Sequence, residues 1–233
     1  MYILAVETAT TTCSVALASD TSILAEMLLH EQHHSENVIP LIERLVADAV
    51  CVRHEIGCIA VDIGPGSFTG LRVGISTAQG LAFALGCPIV GVSSLEILAQ
   101  QVTAPEASVC PMIEAPRGQV YTCLYKMDPN GRLAMSREPT VARPDVWVRL
   151  LSGTVVFTGL GALRYRNLIA ASYSGRALFM IPPLAQPRAS TLAVIAWEAY
   201  REGRACIPEL LKPQYIRQPD AVLPYPHTSD LCK

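Results

Sequence analysis

The sequence is short of charge. Only 16% of its 233 residues are Asp, Glu, Lys or Arg, against about a quarter in ordinary soluble proteins. Residues 1–100 contain no lysine at all. With a net charge of −2, the chain as a whole is excluded as an electrostatic binder of nucleic acid. None of the eight cysteines, at 13, 51, 58, 87, 110, 123, 206 and 232, stands in a C-x-x-C pair, so zinc-site spacing is missing. The opening MYILAVET has no basic stretch, and no signal peptide is expected. No uninterrupted apolar run approaches the ~18 residues of a membrane span. These absences point to the reducing cytosol, with no membrane partner.

What the chain does have is apolar surface. Hydrophobic residues make up 51% of it, enough for a sizeable core and for a covered patch against a partner. The length fits one large domain or two small ones. Charge divides them: residues 1–100 hold three basic against ten acidic residues, or −7, and residues 101–233 hold fifteen against ten, or +5. The short stretch 102–108 with Pro105 marks the boundary, giving a first lobe at 1–102 and a second at 103–233.

The first thirty residues read as three strands joined by short turns, an antiparallel meander. HSENVIPLIERLVADAV has apolar residues at helical spacing, with Ser35 as the expected cap and Pro40 expected in the first turn. CIAVDIG is a strand, LRVGISTAQGLAFAL a helix ended by Gly86, PIVGV a strand and SSLEILAQQV a helix. The second half opens with strands at SVCPMIEA and QVYTCLYKM, and DPNG turns the chain into an extended RLAMSREPTVA. A short helix begins at Pro144, TVVFTGLG is a strand and turn, and TLAVIAWEAYREG is a helix. The proline-rich tail from Pro208 is expected to run extended. No internal repeat of fixed period is found.

Two turns are candidates for holding a phosphate. In ETATTT, backbone amides and threonine hydroxyls are exposed between two strands; a threonine-rich hairpin explains the same residues. GPGSFTGLR links a strand to a helix, with glycines at 64, 66 and 70 that permit close backbone approach. It is neither G-x-G-x-x-G nor a P-loop, nor a nucleophile elbow, and a tight structural turn remains the other reading. Gly70, Gly74, Ala78 and Ala82 then recur every four residues. Such a stripe admits a close neighbour, either a partner helix or the chain's own sheet. His30, His33 and His34 would suit a metal only if His30 and His34 shared a helix; polar residues in a turn are the alternative. No Ser-His-Asp or Cys-His set can be assembled.

ETAT, HSENVIPLI and the block GPGSFTGLRVGISTAQGLAFALGCPIVGVSSL resemble the TsaB family of bacterial tRNA threonylcarbamoyladenosine synthesis. RGQVYTCLY and LKPQYIRQPDA look like two further signatures of that family. The resemblance implies an α/β fold of two actin-like lobes related to sugar kinases and Hsp70, with mixed sheets flanked by helices. It implies a subunit with no catalytic residues, no metal and no cofactor of its own, ATP or ADP belonging at most to the assembled complex. The implied partners are a TsaD-like transferase and a TsaE-like ATPase, with a TsaC-like enzyme supplying threonylcarbamoyl-adenylate. A homodimer is a further expectation, and tRNA is reached only through the complex. On this resemblance a vestigial nucleotide cleft falls on Glu7, Thr8, Thr10, Gly64, Gly66, Ser67 and Thr69. The docking surface falls on Val38, Leu41, Ile42, Leu45, Gly70, Gly74 and Ala78. Two departures stand out. The family's turn begins with Asp where this chain has Glu7, and its Asp-Ala-Arg-Arg is here Glu114-Ala115-Pro116-Arg117. An ATP-hydrolysing enzyme and a glycoprotease-like peptidase are the competing readings.

Overall fold

The computed structural model describes residues 1–30, 34–49, 55–214 and 216. His33, Val50, Cys51, Tyr215, Cys232 and the tail from 217 onward lie outside them. Strands β1 (Tyr2–Glu7), β2 (Thr12–Ala18) and β3 (Ile23–His30) form the expected meander. Helix α1 (His34–Asp48) leads to β4 (Ile56–Asp62), α2 (Phe68–Leu85) to β5 (Ile89–Val92), and α3 (Ser94–Gln100) closes the half. The second half repeats this plan. Its strands β6 (Ser108–Ala115), β7 (Gln119–Met127) and β8 (Leu133–Ala142) are again antiparallel. They are followed by α4 (Pro144–Val148), β9 (Thr154–Thr158), α5 (Leu160–Arg164), α6 (Arg166–Ser172), β10 (Arg176–Phe179) and α7 (Ala189–Arg201). The sheets run β3-β2-β1-β4-β5 and β10-β9-β6-β7-β8, and each adds two parallel strands to its meander. One topology therefore occurs twice, although the sequence carries no fixed period.

The first sheet is buried on both faces, which is why β1, β2 and β4 read as nearly continuous apolar runs. Leu4, Val6, Val15, Leu17, Ile59 and Val61 face α1 and α2. Ile3, Ala5, Ala16, Ala18, Cys58 and Ala60 face the other way, and α7 covers them with Ala189, Leu192, Ala193, Ala196 and Ala199. Alanine on both sides lets the helix lie close to the sheet. So a division at 102 separates the strands of the two sheets, while α7 from the second half packs on the first. In turn, α3 packs Leu95, Leu98 and Ala99 against Val109, Cys123 and Tyr125 of the second sheet.

Two local expectations are corrected. Helix α1 starts at His34, so Ser35 lies within it rather than capping it, and Pro40 sits in the second turn. A proline there removes the amide that would bond the Glu36 carbonyl. Burial of Val38, Ile42 and Leu45 against the first sheet holds the helix despite that loss. The histidines also separate, because His30 ends β3 while His34 begins α1. The shared helix that a metal pair would need is absent.

The start of α7 is tied to the edge strand β3. Glu26 accepts hydrogen bonds from Arg188 Nη2 (2.6 Å), Ser190 N (3.0 Å) and Ser190 Oγ (2.9 Å). Ser14 Oγ accepts from Ala189 N at 3.0 Å. Amides that a helix start leaves unpaired are thus satisfied by another part of the chain, and a carboxylate sits at the positive helix end. Burial alone would raise the Glu26 pKa, but the bonds from Arg188 and Ser190 outweigh it and hold the carboxyl below its usual 4.5. A depressed carboxyl pKa stabilises the fold above the unfolded value and is lost as pH falls through the folded one. Glu26→Gln is expected to cost about 2 kcal/mol at neutral pH, since charge-assisted bonds are lost. In thermal melts this is a fall of roughly 4–8 °C. The deficit should shrink below pH 4.5, where the wild-type carboxyl itself protonates.

Candidate functional site

The parallel register of β1 and β4 pairs Val6 with Val61, which sets Glu7 beside Asp62 at the carboxyl ends of both strands. Crevices at such ends are the usual ligand sites of α/β sheets. Both acids are buried. Glu7 Oε1 accepts from Ala9 N (2.8 Å) and Oε2 from Thr12 Oγ1 (3.4 Å). Asp62 Oδ1 accepts from Gly64 N (2.7 Å) and Ser94 Oγ (2.5 Å), while its Oδ2 is buried without a partner. Burial raises both pKa values, Asp62 to about 7, and the neighbouring Asp62 charge pushes Glu7 well above its usual range. Near neutrality the pair therefore retains a proton.

Above this pair the two candidate turns close on each other. Ser67 N donates to the Ala9 carbonyl at 2.7 Å. A side chain at Gly66 would strike the Ala9 carbonyl, so only glycine permits the approach. Thr8 Oγ1 donates to the Gly70 carbonyl at 2.8 Å, and Ser67 caps α2 by accepting from Gly70 N at 3.2 Å. Thr10 Oγ1 lies 3.1 Å from Thr12 Oγ1. Glu7, Thr8, Thr10, Gly64, Gly66 and Ser67 are thus brought together, and Thr69, in the first turn of α2, is exposed like Ser67. The amides of Ala9, Gly64, Ser67 and Gly70, which a phosphate would need, are each engaged by an acceptor within the chain. Two carboxyls beneath them oppose an anion further.

The cleft is also crossed by the chain's own C-terminal stretch. Gln79 Nε2 donates to the carbonyls of Pro208 (2.8 Å) and Leu211 (3.3 Å). Gln214 N donates to the Ile63 carbonyl at 2.8 Å, and Ile216 packs against Leu95, Leu98 and neighbours over the second sheet. Sequence reasoning overlooked Asp62, Ser94 and this crossing. Asp62 was visible as the lone charge in an apolar strand, whereas the crossing had no local signal.

The expected docking residues are corrected in part. Val38, Ile42, Leu45, Gly70, Gly74 and Ala78 are buried in this chain's own core, and Leu41 is half-buried. The small-residue stripe faces inward because a side chain at Gly74 would collide with Thr8 Oγ1. What the same helices leave outside is Ile39 (41% exposed), Phe68 (49%) and Phe83 (75%). Arg72 stacks over the Phe68 ring at 3.8 Å. At the end of the second sheet Glu114 is ion-paired to Arg164 at 2.5 Å, and Arg117 occupies a left-handed turn. Among the described residues no cluster of three or more His, Cys, Asp or Glu could hold a metal ion, and no helix is long and apolar enough to cross a membrane.

Duplicated sheets with helices crossing between them define a two-lobed α/β protein of the actin-like class. The ROK hexokinase of Thermus thermophilus shares the fold alone, with a TM-score of 0.52 at 11% identity over 87% of this chain and 100% of that one. The family model described as TsaD, tRNA N6-adenosine threonylcarbamoyltransferase, matches residues 23–225. The tRNA threonylcarbamoyladenosine biosynthesis protein TsaB of Escherichia coli is 33% identical over 93% of this chain and 95% of its own. YeaZ from Pseudomonas aeruginosa superposes with a TM-score of 0.78 at 27% identity, over 92% of this chain and 99% of that one. The chain belongs to the TsaB family.

A raised carboxyl pKa stabilises the fold at low pH, and that contribution is lost as pH rises through the folded value. Between pH 5 and 8 the wild type should therefore lose stability relative to Asp62→Asn, by at most about 1.4 kcal/mol per pH unit for one proton. Urea titrations at stepped pH measure the difference. A difference that stays constant over that range would mean the pair does not hold the proton.

Proposed function

We propose that this chain is a non-catalytic subunit for threonylcarbamoyladenosine formation on tRNA. It binds a TsaD-like transferase and brings a TsaE-like ATPase into the assembly, in the cytosol where tRNA resides. The Escherichia coli relative, named for tRNA threonylcarbamoyladenosine biosynthesis, supports the pathway. The observation that carries the non-catalytic reading is the state of the cleft. Its turn amides bond to the chain itself over two buried carboxyls, and these are poor surroundings for a nucleotide phosphate. The ATPase and peptidase readings gain no comparable support.

The docking surface we infer is the outward side of α1 and α2, around Ile39, Phe68 and Phe83. Large exposed apolar residues mark interfaces, and aromatic anchors carry much of their energy. The same side could pair two copies of the chain when the transferase is absent.

Reconstitution with the transferase, the ATPase and a TsaC-like enzyme tests this, with modified adenosine in tRNA read by mass spectrometry. Modification should require the chain. Phe83→Glu should leave the melting temperature unchanged and weaken pairing at least tenfold, about 1.4 kcal/mol or more. Ala78→Arg should instead unfold the protein, since an unpaired charge in the core costs several kcal/mol. Full pairing by the Phe83 variant would move the interface elsewhere. Mg-ATP should not raise the melting temperature of the isolated chain, and a clear rise would favour the ATPase reading.

A further inference from the structure

A second cleft lies away from the paired turns, at the end of the second sheet. It has a volume of about 610 Å³ and opens to solvent along one side. Arg117, Gln119, Thr140 and Arg143 supply its polar lining and Val141 and Ile216 part of its apolar wall, and among the described residues that line it none is a carboxylate, although Asp145 is bonded to Arg143. The register that sets Val120 opposite Ala142 brings the start of β7, with Gln119, alongside the end of β8, with Arg143 just beyond. Asp145 holds the Arg143 guanidinium through Nε (3.1 Å) and Nη2 (3.3 Å), which fixes its plane.

Arg117 sits where the backbone does not favour it. Its φ is +63°, and it is the one residue other than glycine in the left-handed region among those described. That region costs a side-chain-bearing residue about 1 kcal/mol or more, and glycine, already used at Gly118 (φ +71°), avoids the cost. A strained arginine beside a second arginine and an amide is an arrangement suited to anions.

We propose that this cleft is a phosphate-contacting seat for single-stranded RNA. The two guanidiniums take backbone phosphates, and a base lies against Val141 and Ile216 within reach of the Gln119 amide. Its open side favours a polymer over a free nucleotide, because small-molecule sites enclose most of their ligand. The choice of RNA over an acidic peptide rests on the proposed tRNA role, and the positive balance of residues 101–233 favours either anion. Affinity of the isolated chain is weak, as its net charge of −2 requires.

The test uses the full chain and a short fluorescent single-stranded RNA, with anisotropy read across a salt series. Arg117→Gln with Arg143→Gln should weaken binding about tenfold and lower the log–log salt slope by roughly 0.7 per arginine. Arg204→Gln, an exposed arginine elsewhere, should change neither. Arg117→Gly should raise the melting temperature while weakening RNA binding, and Arg117→Lys should restore part of the affinity. A lower melting temperature for Arg117→Gly would make Arg117 a structural residue and overturn the proposal. Unchanged RNA binding in the double variant would also overturn it, as would equal competition by AMP or by a poly-glutamate peptide. Cleft variants that bind RNA normally while the chain still supports modification would sink this inference alone. Failure to pair with the transferase would sink the proposed function instead.

Discussion

The packing of α7 onto the first sheet is the constraint on which the rest of the molecule depends. That sheet has two apolar faces, of which α1 and α2 cover one, while the first hundred residues bring only Ile97 of α3 to the other among the described residues. Without α7 its second face would stand in water, at roughly 25 cal/mol for each Å² of apolar area. Alanines on both partners bring helix and sheet together, while Glu26 and Ser14 satisfy the first amides of α7. The two halves are thereby tied at a distance in sequence that no local preference specifies. Segment 205–214 then follows from α7 along the first lobe, joined by Ile89 to Cys206 and by Ile63 to Gln214.

The same tie explains the condition of the cleft. The C-terminal stretch passes the carboxyl end of β4, where the Gln214 amide donates to the Ile63 carbonyl, and the turns at the ends of β1 and β4 are bonded to each other through Ala9 and Ser67. Glu7 accepts from the Ala9 amide two residues on, as Asp62 does from Gly64, and so occupies a donor that an anion would require. Burying two carboxyls side by side is unfavourable unless a proton is kept, and the raised pKa values express that. The exposed Phe68 and Phe83 lie on the helix that Ser67 caps.

Much of this was legible in the residues. Apolar strands bounded by threonine and glycine turns located β1, β2, β4 and β5, and Gly86 ended α2 as its left-handed φ of +63° requires. The glycine at 66 does mark a point of close approach, and the group it approaches is the Ala9 carbonyl. The stripe of Gly70, Gly74 and Ala78 gave an equally ambiguous signal, since small residues admit any neighbour. The neighbour here is the chain's own Thr8 and the core beneath it. The preference of proline for the first turn gives way at Pro40, because burial of Val38, Ile42 and Leu45 holds the helix around it.

The sequence by itself determined the class of the fold, the elements of the first half, the family and the two turns that meet. Each depends on residues close together in the chain, where spacing and turn chemistry act directly. Only the tertiary structure decided that the topology is repeated, that α3 and α7 cross between the sheets, and that Glu7 and Asp62 share one buried site. It also decided which face of α2 looks outward. These features are contacts between distant segments, and a periodic apolar pattern states that a face is buried without stating what buries it.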